Sequence, residues 1–505
     1  MTRIDRPGPA LAFVAVLGLL TFGVAMAYGA VQDRERTYRY FAEAMESPAE
    51  PQAQIRWEDP VRPLTRPFEA ADAARVGRAM TEAWQALATA LHSGDGRALA
   101  DQFAGVALAR AETATAEARA DGAGMVVLRS TARPAFYHRD GSLLQVEADA
   151  MTARFAVTGP DLAFFDVTMD RTLTTLTNET TGWRVFSHER QDARALAAPK
   201  AEPFAGRIAG INYYPAGTPW RAFWDGYDPA VIAADFDRIR GLGANAVRVF
   251  LPREDFLDPA RRSANLPRLA DLLKQAAARG LQVVPTLFDL RGSYAPGTWS
   301  EDAVYLGAVL PVLAADPSTI AFIDLKNEPD LDFEREGRGV VLAWALSMIE
   351  VIRADAPGLR VTIGWSSVGA ATALAERLDL ITYHDYAPMQ GSAARLDALR
   401  REFPGIPVVV TEIGASSFGL AFGLPSSPDK QARALEDRIL SLAAAEGVMV
   451  WTLHDFPNPD PAAVGRSPWR RGIQSAFGLI APDGTEKPAA ATVRAAFTDY
   501  LNGAN

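Results

Sequence analysis

The chain has no cysteine. That excludes a disulfide framework, a thiolate metal site and a cysteine nucleophile. Positive charge is also short: 51 Lys and Arg stand against 61 Asp and Glu, a net charge of −10, and no segment forms a basic stripe. A nucleic-acid partner is not expected on that balance. Histidine is scarce, five in all, and His92, His138 and His188 lie too far apart to suggest a metal cluster. One long uncharged run does occur. Residues 10–32, ALAFVAVLGLLTFGVAMAYGAVQ, follow Arg3 and Arg6. A bilayer span needs about 20 apolar residues, a signal-peptide core only roughly 7–15. Residues 1–33 are therefore expected to be an uncleaved transmembrane anchor, with cleavage after Ala25-Met26-Ala27, and secretion, as the alternative. Arg3 and Arg6 favour a cytoplasmic N-terminus. Everything beyond residue 33 is then expected in the periplasm, tethered to the inner membrane.

Five prolines without a clear period mark residues 34–68 as a linker. In 69–190 the grammar is helix first, strand later. Val76, Met80, Trp84, Leu87 and Leu91 recur at helical spacing, and four β-rich runs follow, from MVVLRSTARPAFYH to GWRVFSHER. This order predicts a small α+β domain. It resembles the cone-shaped nuclear-transport-factor-2-like fold, which by itself assigns no function. A second linker covers 191–204.

From residue 205 to 505 short apolar strands alternate with amphipathic helices. The strands are read at 207–214, 245–251, 282–288, 320–326, 360–365, 379–386, 408–413 and 448–454. Strands that are apolar throughout, each followed by a helix, predict an α/β fold of the (β/α)8 type, a TIM barrel. An open doubly wound sheet is disfavoured because no glycine-rich phosphate loop follows the first strand.

Barrel active sites lie at the carboxyl ends of the strands. Those ends carry Tyr213, Arg248, Asp289, Asn327-Glu328, Trp365, His384 and Tyr386, Glu412, and Trp451. Two glutamates amid aromatics and amides suit a sugar, since rings stack on pyranose faces and amides bind hydroxyls. Glu328 on strand four and Glu412 on strand seven face each other across the mouth, the arrangement a two-carboxylate glycosidase requires. Alone, Glu328 before Pro329 would read as a helix cap. Arg248 in an apolar strand needs a carboxylate partner.

On these motifs the chain from about residue 205 resembles clan A glycoside hydrolases, most of all family 5, which includes cellulases and mannanases. The resemblance implies Glu328 as acid/base, Asn327 as the 2-hydroxyl ligand and Glu412 as nucleophile. It implies Arg248 as the group that keeps the nucleophile charged, His384 and Tyr386 as strand-six site residues, and Trp451 as the floor. One position departs: family 5 members commonly carry a His just after strand three, and here Phe288-Asp289 stands. The expected activity is retaining hydrolysis of a β-linked polysaccharide, of glucan or mannan type, without metal or cofactor. Glu328 is expected to start protonated, raised by the nearby Glu412 charge. The alternatives are a membrane-anchored β-glucan transglycosidase and a non-catalytic accessory subunit of a polysaccharide synthesis or export complex.

Overall fold

The computed structural model describes residues 54–503 apart from 180–181, 197–200, 205 and 420–425. The expected anchor at 10–32 lies outside them. Among the described residues no helix is long and apolar enough to cross a membrane.

The first unit opens with a three-residue strand, β1 (Ile55–Trp57), inside the stretch expected to be linker. Flanking prolines and its brevity leave it no readable period. Helix α1 (Ala70–Ser93) follows and buries Val76, Met80, Trp84, Leu87 and Leu91 along one face. It stops at Gly94, whose φ of +72° provides the left-handed cap for the Ala90 carbonyl. Helix α2 (Gly105–Asp121) then leads into the long antiparallel strands β2 (Ala123–Tyr137), β3 (Leu143–Thr158), β4 (Asp161–Glu179) and β5 (Gly182–Ala195). The sheet order is β1-β2-β3-β4-β5, with β1 parallel to β2.

Eight parallel strands close a barrel: β6 (Ile208–Asn212), β7 (Ala246–Pro252), β8 (Gln282–Asp289), β9 (Ile323–Asn327), β10 (Val361–Trp365), β11 (Ile381–His384), β12 (Val408–Ile413) and β13 (Gly447–Val450). The (β/α)8 reading holds. The longer helices around the barrel are α3 (Pro229–Gly241), α4 (Pro259–Ala278), α5 (Trp299–Leu313), α6 (Arg338–Asp355), α7 (Ser392–Glu402) and α8 (Pro428–Ser441) in the crossovers, and α9 (Pro488–Asn502) after the last strand. One departure from eight full helices is the connection after β10, which holds a four-residue helix, Val368–Ala371, and a 3-10 turn, Ala375–Arg377.

Period-two alternation splits the N-terminal sheet between two cores. Val127, Ala148 and Ala150 face α1, while Leu128, Met151, Ala153 and Phe155 pack into the same core as the barrel helices. Phe155 stacks on Trp299 at the start of α5, ring centroids 5.0 Å apart. A Cβ on Gly339 of α6 would lie 2.6 Å from Val157, so the sheet sits against that helix more closely than any other residue permits. Ion pairs Arg129–Asp355 and Arg338–Asp161 flank the seam.

The seam is thus held by apolar packing. Trp299→Ala is expected to destabilise the protein by about 3–5 kcal/mol in urea unfolding. Arg338→Ala, which breaks a solvent-exposed pair, should cost under about 1 kcal/mol.

Candidate active site

The barrel interior is set by strand alternation. Asn212, Arg248, Asp324 and Gly364 face inward, and the Arg248 guanidinium, wholly buried, sits among them. All five of its N–H donors are used. Nε donates to Asp324 Oδ2 at 3.1 Å, and Nη2 to the same oxygen at 2.7 Å and to Asn327 Oδ1 at 2.8 Å. Nη1 donates to Asn212 Oδ1 at 2.8 Å and to Glu412 Oε1 at 2.5 Å. Asp324 is completed by the Gly364 N–H at 2.7 Å and the Thr286 hydroxyl at 3.0 Å. Burial opposes the charge on Arg248, but Asp324 and Glu412 outweigh it and raise its affinity for the proton. Because Asn327 spends its oxygen on Arg248, its amide N–H₂ is left to donate elsewhere.

Glu328 follows Asn327 with φ +48°, a left-handed conformation that costs a non-glycine residue about 1–3 kcal/mol. Its N–H donates to the Gly364 carbonyl at 2.7 Å. Its side chain is a quarter exposed, and Oε1 lies 2.8 Å from His384 Nδ1. His384 Nε2 is 3.6 Å from Glu412 Oε1. Tyr386 donates its hydroxyl to Glu412 Oε2 at 3.1 Å. Carboxylate oxygens of Glu328 and Glu412 lie within 4.8 Å of each other, with the buried imidazole bridging them. Trp451, half-buried, stands edge-on to Tyr214 and Phe250 at 6.4 and 6.0 Å.

This is a barrel mouth with two facing glutamates, a buried cation under one and an imidazole between them. No protein-family model matches the chain, and no curated protein matches it. Solved structures do. A GH5_18 protein from Streptomyces cattleya, in complex with Manb1-4GlcNAc, is 21% identical over 60% of this chain and 82% of its own, with a TM-score of 0.50. An exo-beta-1,4-mannosidase from Opitutaceae bacterium strain TAV5 is 22% identical over 60% and 62%, TM-score 0.48. A GH2 beta-galacturonidase from Eisenbergiella tayi is 15% identical over 74% and 72%, TM-score 0.47. The fold is shared with the GH5_18 protein.

Of the residues read from the sequence, the structure gathers Arg248, Asn327, Glu328, His384, Tyr386, Glu412 and Trp451. Three candidate sugar contacts lie elsewhere. Tyr213 is one step out of phase: Asn212 points inward, so Tyr213 points outward, packs on Phe236 and bonds Asp235 at 3.0 Å. Its neighbour Tyr214 faces the site instead, stacked on Phe250 at 4.8 Å. Asp289 is buried behind Tyr214, accepting its hydroxyl at 2.9 Å, and burial raises its carboxyl above the ordinary range despite Lys326. Trp365 alternates with the inward Gly364, so it is fully buried against Phe333. The protonation expectation for Glu328 also changes. Burial pushes its carboxyl up, but the hydrogen bond and charge of His384, with Lys326 and Arg248, outweigh burial and lower it. Burial pulls His384 down, yet Glu412 and Glu328 raise it above its ordinary value. An imidazolium–carboxylate pair is the favoured form.

Asp324 is not among the residues read from the sequence, and Asn212 is read there only as part of the end of the first barrel strand. Asp324 was legible: an acid inside an apolar strand, three residues before Asn327, answers the partner that a buried Arg248 demands. Glu328, His384 and Glu412 are also spaced as three ligands of a metal ion would be. Arg248, 2.5 Å from Glu412, sets a fixed positive charge against a cation there.

Arg248→Met leaves Asp324 and Glu412 without their buried counter-charge and is expected to cost about 3–5 kcal/mol in chemical denaturation. Arg248→Lys should recover only part of it, since three donors cannot serve five contacts.

Proposed function

We propose that the protein is a retaining glycosidase acting on a β-linked glycan of glucan or mannan type. The observation that carries the reading is the pair of glutamates with oxygens within 4.8 Å. That separation suits a retaining site, with carboxyl groups about 5–5.5 Å apart, and is too short for an inverting one, about 6.5–9.5 Å. The protein of the same fold from Streptomyces cattleya is bound to Manb1-4GlcNAc, which supports a β-linked substrate.

In this reading Glu412, held by Arg248 and Tyr386, attacks the anomeric carbon and forms a glycosyl-enzyme. Glu328 delivers a proton to the leaving oxygen and then takes one from the incoming water. The proton is shared with His384. Glu412 is the foremost charge holding it on the imidazole. As Glu412 spends its charge on the new ester bond, that hold weakens and the proton moves toward Glu328 and the leaving group. Asn327 offers its free N–H₂ to the 2-hydroxyl, and Trp451 floors the ring. We further read residues 10–32 as an anchor that sets the barrel in the periplasm beside glycan being made or exported, and residues 69–190 as nuclear-transport-factor-2-like on their element order.

Full-length protein incubated with β-glucans and β-mannans should release shorter oligosaccharides by mass spectrometry, and Glu412→Ala should release none. Products absent from wild type and variant alike on every β-glycan would sink the reading. Glu328→Ala should keep the first step, read as kcat/KM, on aryl glycosides with acidic leaving groups, which need no proton, while its kcat falls because no base activates water; on natural substrates kcat/KM should fall roughly 10²–10⁴-fold. The pH profile gives a further check. Wild-type kcat/KM should fall as pH rises through the raised His384 value, above the ordinary 6.5. In His384→Ala a carboxyl alone holds the proton, so the basic limb should move to lower pH; an unmoved limb would count against the shared proton.

A further inference from the structure

The N-terminal unit holds a cavity of its own, on the sheet face turned away from the barrel. It encloses about 320 Å³ between Met80 and Trp84 of α1 and the inward side chains of β2 to β5. That is at the lower end of small-molecule sites, about 300–1,000 Å³. The space exists because of two small residues. Ala148 and Ala150 lie mid-floor on β3, opposite Thr172 and Asp170 of β4. Valine or leucine there would fill it, and an unfilled void costs stability in proportion to its volume.

The lining is not that of a packing fault. One wall is apolar, formed by Met80, Trp84 and Val127. The other side carries charge: Arg154 pairs with Asp170, and the Thr168 hydroxyl joins both at 2.7 Å, so this pair is neutral as a unit. On β5, His188 and Arg190 are two residues apart and share a face. His188 leans on Trp84, ring centroids 4.5 Å apart, and its Nδ1 meets the Thr174 hydroxyl at 2.9 Å. Burial lowers His188 to about 4, so it is an uncharged ring. His188 Nε2 makes no hydrogen bond among the described residues, and when the Thr174 hydroxyl donates to Nδ1 the ring proton sits on Nε2. Arg190 lines the same cavity at its exposed rim, and its side chain has no ion pair or hydrogen bond among the described residues. The net result is a well with an apolar wall, a floor that carries the Ser130 and Thr152 hydroxyls, the His188 ring edge and one uncommitted cation at the mouth.

We propose that this cavity is a binding site for a small carboxylic acid with an apolar body. The ring or short acyl chain fills the well against Trp84 and the alanine floor, and the carboxylate takes the Arg190 guanidinium and the His188 N–H. The site is separate from the glutamate pair and does not rest on the glycosidase reading.

Isothermal titration of the full chain with 2-naphthoate, and with 2-naphthol as its uncharged analogue, tests this. Saturable one-to-one binding of the naphthoate is expected, with naphthol weaker by roughly tenfold or more. Arg190→Gln, on an exposed side chain, should weaken naphthoate by a similar factor without altering the melting temperature. Ala150→Leu should abolish binding by filling the well, with a cooperative melting transition retained. No binding of naphthoate, equal binding of naphthol, or unchanged binding in Arg190→Gln would each overturn the proposal.

Discussion

The barrel depends on one buried guanidinium. Arg248 has been taken wholly out of water, a large desolvation cost that only complete pairing offsets. Its contacts fall on β6, β9 and β12, with Asp324 extending the set to β8 and β10. Strands far apart in sequence are thereby tied at one level of the interior. The same contacts aim Glu412 and fix which end of the Asn327 amide faces the mouth. Structural charge network and candidate site are here one object, so the position of Glu412 is set by a buried group whose five donors are all used.

Above that level His384 joins the two glutamates. Its imidazole touches Glu328 on one nitrogen and approaches Glu412 with the other. Two carboxylates this close would otherwise repel and force one to stay protonated. A shared imidazolium removes that need and keeps a proton beside Glu328. The left-handed turn at Glu328 lets the second glutamate leave the β9 strand path and reach the imidazole.

The N-terminal sheet uses its alternation to do two jobs. Odd and even positions of β3 serve different cores: Met151, Ala153 and Phe155 grip the barrel, while Ala148, Ala150 and Arg154 line the separate cavity. The first unit is therefore packed on the barrel through a face of its own sheet, and its other face keeps room beneath α1.

The sequence by itself determined the barrel, because buried parallel strands are apolar on both faces and the helices between them carry clear stops. It also determined the rim glutamates, Asn327, Arg248, His384, Tyr386 and Trp451, because each ends or interrupts an apolar strand with a polar or aromatic group. Tertiary structure alone decided which of two neighbouring aromatics enters the site. A one-residue phase separates Tyr213 from Tyr214, and strand ends read from composition are not accurate to one residue. It likewise turned Asp289 and Trp365 into supports, since burial depends on loops folded over them from elsewhere in the chain. The charge state of Glu328 belongs to the same class. Proximity to Glu412 argued for a raised carboxyl, but the imidazole that reverses it arrives from a strand 56 residues away.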